Sequence, residues 1–143
     1  MTLKRNILLN PGPATTTDSV KQALVVPDIC HRENEFCDLV DRVHEKLVNV
    51  VHGGDDYVAV TLAGSGTAGV ESCIGSVVPH DGRKILVINN GAYGRRMGQI
   101  AELYGISCVE LDLSWEEVVS PQRVDQVLQE HKGSISHIAM VHH

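Results

Sequence analysis

Residues 61–78, TLAGSGTAGVESCIGSVV, limit the possible fold more than any other stretch. Residues 57–62 are apolar and β-branched enough to predict a buried strand, and they run straight into Gly64-Ser65-Gly66-Thr67, which offers small residues and a hydroxyl N-cap. Val70, Ile74, Val77 and Val78 then recur at helical spacing, which predicts a helix over 66–78 ending before Pro79. A strand, a glycine turn and a helix N-terminus in succession form an anion site, because unpaired amides and the positive end of the helix dipole converge there. Ordinary turn chemistry accounts for the same letters. So does the dinucleotide pattern, as Gly64-x-Gly66-x-x-Gly69. That pattern wants a carboxylate at the end of the next strand, and residues 84–89 run into Asn89-Asn90-Gly91 without one.

Downstream the chain alternates. Strands over 57–62, 84–89, 106–111 and 137–142 are expected, with helices over 66–78, 95–104 and 121–131 between them, a pattern of βαβ units and a parallel sheet. Ligands bind beyond the carboxyl ends of such strands, where Gly64 to Thr67 and Asn90 to Gly94 both fall. Glycines on both sides of Tyr93 allow it to be aimed from a loop, either as a flat surface for a ring or as simple packing. Arg95-Arg96 reads as the solvated start of the following helix, since a helix N-terminus does not favour cations. Trp115, Glu116 and Glu117 form an acidic connector before Ser120-Pro121, an N-cap and N1 pair.

Upstream, an apolar stretch over 3–10 closes on Asn10-Pro11-Gly12-Pro13, a non-helical turn. A short helix over 19–25, capped by Thr17 or Asp18 and stopped by Pro27, precedes an amphipathic helix over 35–51. Its apolar positions are Phe36, Leu39, Val40, Val43, Leu47, Val50 and Val51. The expected division is an arm with helices over 1–56 and an α/β domain, incomplete, over 57–143.

A net charge of -6 argues against a nucleic-acid or anionic-membrane partner, so an anionic ligand must be captured locally. The four cysteines include no C-x-x-C pair; with no leader and no membrane-length apolar run, a reducing cytoplasm is expected. Cys73 and Cys108 read as small buried hydrophobes. His31-Arg32 reads as surface. His44 and His52 lack the i, i+4 spacing of a helical metal site, and the neighbours His142 and His143 would face opposite ways in a strand, so no metal is expected.

LLNPGPATTT at 8–17, Asp28 to Phe36 with its DIC, Arg32 and Glu35-Phe36, GSGT at 64–67, NGAYG at 90–94 and the ending 137–143 stand in the order they take in a known family. The chain resembles, over essentially its whole length, the start of the large domain of the class V, fold-type I aminotransferases that use pyridoxal 5′-phosphate. The resemblance implies a three-layer α/β/α large domain with a mostly parallel sheet. It implies that Ser65, Gly66 and Thr67 hold the cofactor phosphate, that Tyr93 stacks on the pyridine ring, and that Pro11 and Gly12 border the substrate pocket. Glu33 matches an acidic tendency of close relatives, whereas His31 stands where they carry proline. The activity implied is transfer of the amino group of 2-aminoethylphosphonate to pyruvate, giving phosphonoacetaldehyde and alanine, by a cytoplasmic homodimer. Alanine–glyoxylate and serine–glyoxylate aminotransferases share these motifs, and a non-catalytic phosphate- or nucleotide-binding module is a further reading. In the family the lysine that bonds the cofactor, the acid facing its ring nitrogen and the substrate-binding arginine lie beyond the point matching His143. The expectation is therefore an amino-terminal part that is inactive alone, with no catalytic residue among Lys4, Lys21, Lys46, Lys84 and Lys132.

Overall fold

The computed structural model describes residues 6–10 and 12–142. They fall into two units, divided between Thr61 and Leu62.

The second unit is built on three parallel strands, β1 (Lys84–Asn89), β2 (Cys108–Asp112) and β3 (Ile135–Met140), in the order β2-β1-β3. Four helices of the chain need naming beside them: α2 (Asn34–Val50), α3 (Gly66–Val77), α4 (Ala92–Leu103) and α5 (Pro121–Glu130), after a short α1 (Asp18–Gln22). β1 is central, so both its faces are covered and it reads as a continuous apolar run. Strand alternation sends Ile85 and Val87 to one side, where they pack with Ile74, Val78, Met97, Ile100, Ala101 and Ile106 from α3, α4 and their ends. Leu86 and Ile88 go to the other side and meet Leu111 and Leu113, with Val124, Val127 and Leu128 of α5 against them. The result is a helix layer, a sheet and a second helix layer. Each of these buried β1 side chains contributes about 1.5–3 kcal/mol.

From β1 the chain goes through α4 to β2 on one side, then through α5 to β3 on the other. The order of strands therefore reverses at β1, and the carboxyl ends flanking such a switch are where open α/β sheets hold ligands. β3 begins at Ile135, two residues earlier than the expected 137, because its register slips between Lys84 and Ile85: Lys84 faces Ile135 while Ile85 faces His137. Ser136, the extra residue, donates its hydroxyl to the Lys84 carbonyl at 3.2 Å.

Residues 57–62 form no strand. A strand exists only as one of a pair, and none of the described strands pairs with them. Tyr57, Val58, Val60 and Leu62 are correspondingly exposed. On α3, Ile74 and Val78 are buried as the stripe predicts, but Val77 and Cys73 are exposed.

In the first unit α2 spans nearly the predicted range, yet none of its residues is buried. Thr61 is tied back to it by a 3.0 Å hydrogen bond with His44 Nε2. Leu8 N–H donates to Thr15 Oγ1 at 2.8 Å and Asn10 Nδ2 to the Pro13 carbonyl at 3.3 Å, which close the proline turn. α1 is shorter than expected, and Thr17 stands at its N-cap without a side-chain capping bond. No helix among the described residues is long and apolar enough to cross a membrane.

Candidate phosphate-binding site

Ser65 has the extended backbone of an N-cap, and its Oγ accepts from the Ala68 amide at 3.3 Å while its carbonyl accepts from Gly69 at 3.2 Å. As first and second residues of α3, Gly66 and Thr67 have no intrahelical acceptor, and among the described residues nothing else accepts from their amides. The Ser65 hydroxyl, already accepting one bond, still has a proton to donate. A Cβ built on Gly66 would meet nothing within 4 Å, so the space over this first turn is open.

The ring side comes from α4. The aromatic is not on a loop: helix begins at Ala92, and Tyr93 lies in its first turn, 67% exposed. Two glycines account for that start. Gly91 turns the chain with φ 153° and ψ -166°, a region essentially closed to other residues. A Cβ on Gly94 would lie 2.9 Å from Asn89 Cα and 3.1 Å from the Ile88 carbonyl, so only glycine lets α4 begin this close to β1. Asn89, buried, donates to Asp112 Oδ1 at 2.7 Å, and Asn90 donates to the Val141 carbonyl at 2.8 Å. These bonds fix the carboxyl end of β1 against its neighbours on both sides.

Gly66, Thr67, Val70, Tyr93, Arg96, Met97, Ile100 and Val141 enclose a cavity of about 280 Å³. Two of the residues expected to hold phosphate and the expected stacking aromatic thus share one space, with Ser65 capping from the position before. Val70, Met97 and Ile100 contribute apolar lining. These donors and this face fit a phosphate ester carried on a flat ring. Arg96, expected as solvated helix surface, is exposed but lines the cavity as well. Its position depends on how α3 packs on α4, which spacing within one helix does not reveal. Gly12 lies in the first unit, exposed, and Pro11 lies outside the described residues.

Burial, followed by the nearby Glu110 carboxylate, pushes the Cys108 thiol up to about 11, so it stays protonated at neutral pH. His137 Nδ1 meets Ser136 Oγ at 3.1 Å, and His143 lies outside the described residues. Among the described residues no three His, Cys, Asp or Glu side chains gather as metal ligands would.

Solved structures similar to this chain include aminotransferases. An alanine–glyoxylate aminotransferase from Nostoc sp. is similar over 99% of this chain and 37% of its own, with TM-score 0.79 and 29% identity. A ureidoglycine–glyoxylate aminotransferase from Bacillus subtilis matches 99% of this chain and 35% of its own at TM-score 0.81 and 25% identity. The chain therefore has the α/β fold of the fold-type I aminotransferases. Among curated proteins it is similar to 2-aminoethylphosphonate–pyruvate transaminases: 39% identical over 143 residues to that of Klebsiella pneumoniae subsp. pneumoniae, and 43% identical over 143 residues to that of Bacillus cereus. The chain spans 38% and 41% of those two relatives, and the resemblance carried by its motifs is the one found. No protein-family model matches it.

Proposed function

We propose that residues 57–143 are the first half of a cofactor-binding large domain, that residues 1–56 are its leading arm, and that the cavity binds pyridoxal 5′-phosphate. The observation carrying this reading is the convergence of the free Gly66 and Thr67 amides with the Tyr93 ring around one 280 Å³ space. Ser65, Gly66 and Thr67 hold the phosphate by amide and hydroxyl donation, and the helix dipole adds to their pull. Tyr93 would offer its face to the cofactor's ring and orient it. The apolar lining from Val70, Met97 and Ile100 would exclude water from it. When bound, the cofactor supplies an electron-withdrawing ring through which an amino group can leave one substrate and enter another.

The parent reaction is amino transfer from 2-aminoethylphosphonate to pyruvate in phosphonate breakdown, by a cytoplasmic homodimer; the names of the relatives support the substrates. Pro11 and Gly12 are carried as substrate-side residues on motif likeness alone. The likeness to the Nostoc enzyme supports a second reading, alanine–glyoxylate transfer.

Cofactor titration followed by calorimetry tests the site. Thr67→Ala should weaken binding by roughly tenfold, and Tyr93→Ala by roughly two- to tenfold. Equal affinity in parent and both variants overturns it. For the reaction, the longer parent protein, of which this chain would be the amino-terminal part, should form alanine from 2-aminoethylphosphonate and pyruvate. Faster transfer from alanine to glyoxylate would replace the phosphonate reading with the second.

A further inference from the structure

We infer that Arg96 is the cationic arm of the phosphate cup, a contact for the phosphate dianion supplied by α4 across the cavity from the amides of α3. The inference rests on the phosphate reading of this cavity and deepens it.

Electrostatics carries the argument. The chain has a net charge of -6, yet the residues lining this cavity include one cation and no carboxylate. Two other cavities of the same unit differ: Glu102 and Glu110 line one, Glu116 and Glu117 the other. The positive end of α3 lies at Gly66 and Thr67, which line the same cavity as Arg96. Two positive groups facing one space repel each other unless an anion lies between them. Among the described residues no carboxylate lines the cavity to supply that anion. Ion pairs among the described residues join Lys21 to Asp18, Arg83 to Asp81 and Arg123 to Glu117, and none includes Arg96.

Local geometry agrees. Tyr93 and Arg96 are three apart on α4 and so share a face. One helix face thus presents a surface for the ring and, a turn further on, a charge for its phosphate. Arg95, the neighbouring cation, does not line the cavity. A guanidinium suits the task, since its fork can meet two phosphate oxygens at once.

The test is calorimetric titration of the full chain with pyridoxal 5′-phosphate, with pyridoxal lacking the phosphate, and with inorganic phosphate as competitor. Arg96→Ala should weaken pyridoxal-phosphate binding by roughly tenfold or more, leave pyridoxal unaffected, and remove competition by inorganic phosphate. Arg96→Lys should recover part of the loss, and Arg95→Ala should bind as the parent does. If Arg96→Ala binds as tightly as the parent while Thr67→Ala is weakened, the arm is overturned and the cup stands. Equal losses in Arg95→Ala and Arg96→Ala would mean a diffuse field, and equal losses for pyridoxal and its phosphate a role on the ring; either overturns the assignment. If the parent itself prefers neither, the cup and its arm fall together. Circular dichroism of each variant separates loss of binding from loss of fold.

Discussion

The two units of this chain use similar apolar patterning to different ends. In residues 62–142 the pattern is closed: β1 hides Ile85 to Ile88 between α3 and α4 on one side and α5 on the other. In the first unit α2 has an equally regular stripe, yet Leu39, Val43 and Leu47 keep 37%, 42% and 43% of their surface exposed. Periodicity therefore specifies which residues are helical and which face is apolar. It does not supply the opposing surface, and an isolated helix of this length is marginal in water.

The sharpest way to break that contrast is a matched pair of truncations. Leu86→Ala should cost about 2–5 kcal/mol, whereas Leu39→Ala should cost less than about 1 kcal/mol, both read from urea unfolding; similar costs would erase the distinction. A smaller effect separates two glycines. Gly94→Ala should destabilise by about 1–3 kcal/mol, since the atoms its Cβ meets are backbone and cannot move aside. Gly69→Ala, inside α3 with nothing within 4 Å of its Cβ, should stabilise by about 0.5–1 kcal/mol. Both shifts appear in thermal melts.

Thiol chemistry sharpens the comparison further. Cys37 on α2 is exposed and should be alkylated readily, while Cys108 should lag at pH 8, where its thiolate is on the order of a thousandth of the total. Because its folded pKa is raised, Cys108 contributes stability that is complete below its ordinary value of 9.0 and is lost as pH rises toward about 11. Cys108→Ser should flatten that alkaline limb of the stability curve. The smallest effect is expected at Thr61, where Thr61→Val removes the exposed bond to His44 and should cost no more than about 1 kcal/mol, measurable as a slight fall in α2 helicity.

The readable and unreadable parts of the sequence divide along the same physical line. β1 was legible to the residue, because a central parallel strand is apolar on both faces. The helix at Gly66 was legible from Ser65, whose cap is a local bond. Residues 57–62 have strand composition, but strand formation depends on a partner that composition does not name. The Tyr93 position was misjudged because flanking glycines suggest a loop, whereas Gly94 serves close contact with Asn89 and Gly91 turns the chain into the helix. The slip at Ser136 and the lining role of Arg96 depend on contacts between elements, so no short-range pattern encodes them.

Met97 and Ile100 belong at once to the buried cluster beneath the sheet and to the wall of the cavity. Folding and ligand capture therefore draw on the same atoms. A molecule seated there would act as an additional core side chain contributed from solution, raising the unfolding temperature with the logarithm of its free concentration once that exceeds its dissociation constant. Substitutions at these positions would then be read as binding defects in one assay and as folding defects in another, although a single contact had changed.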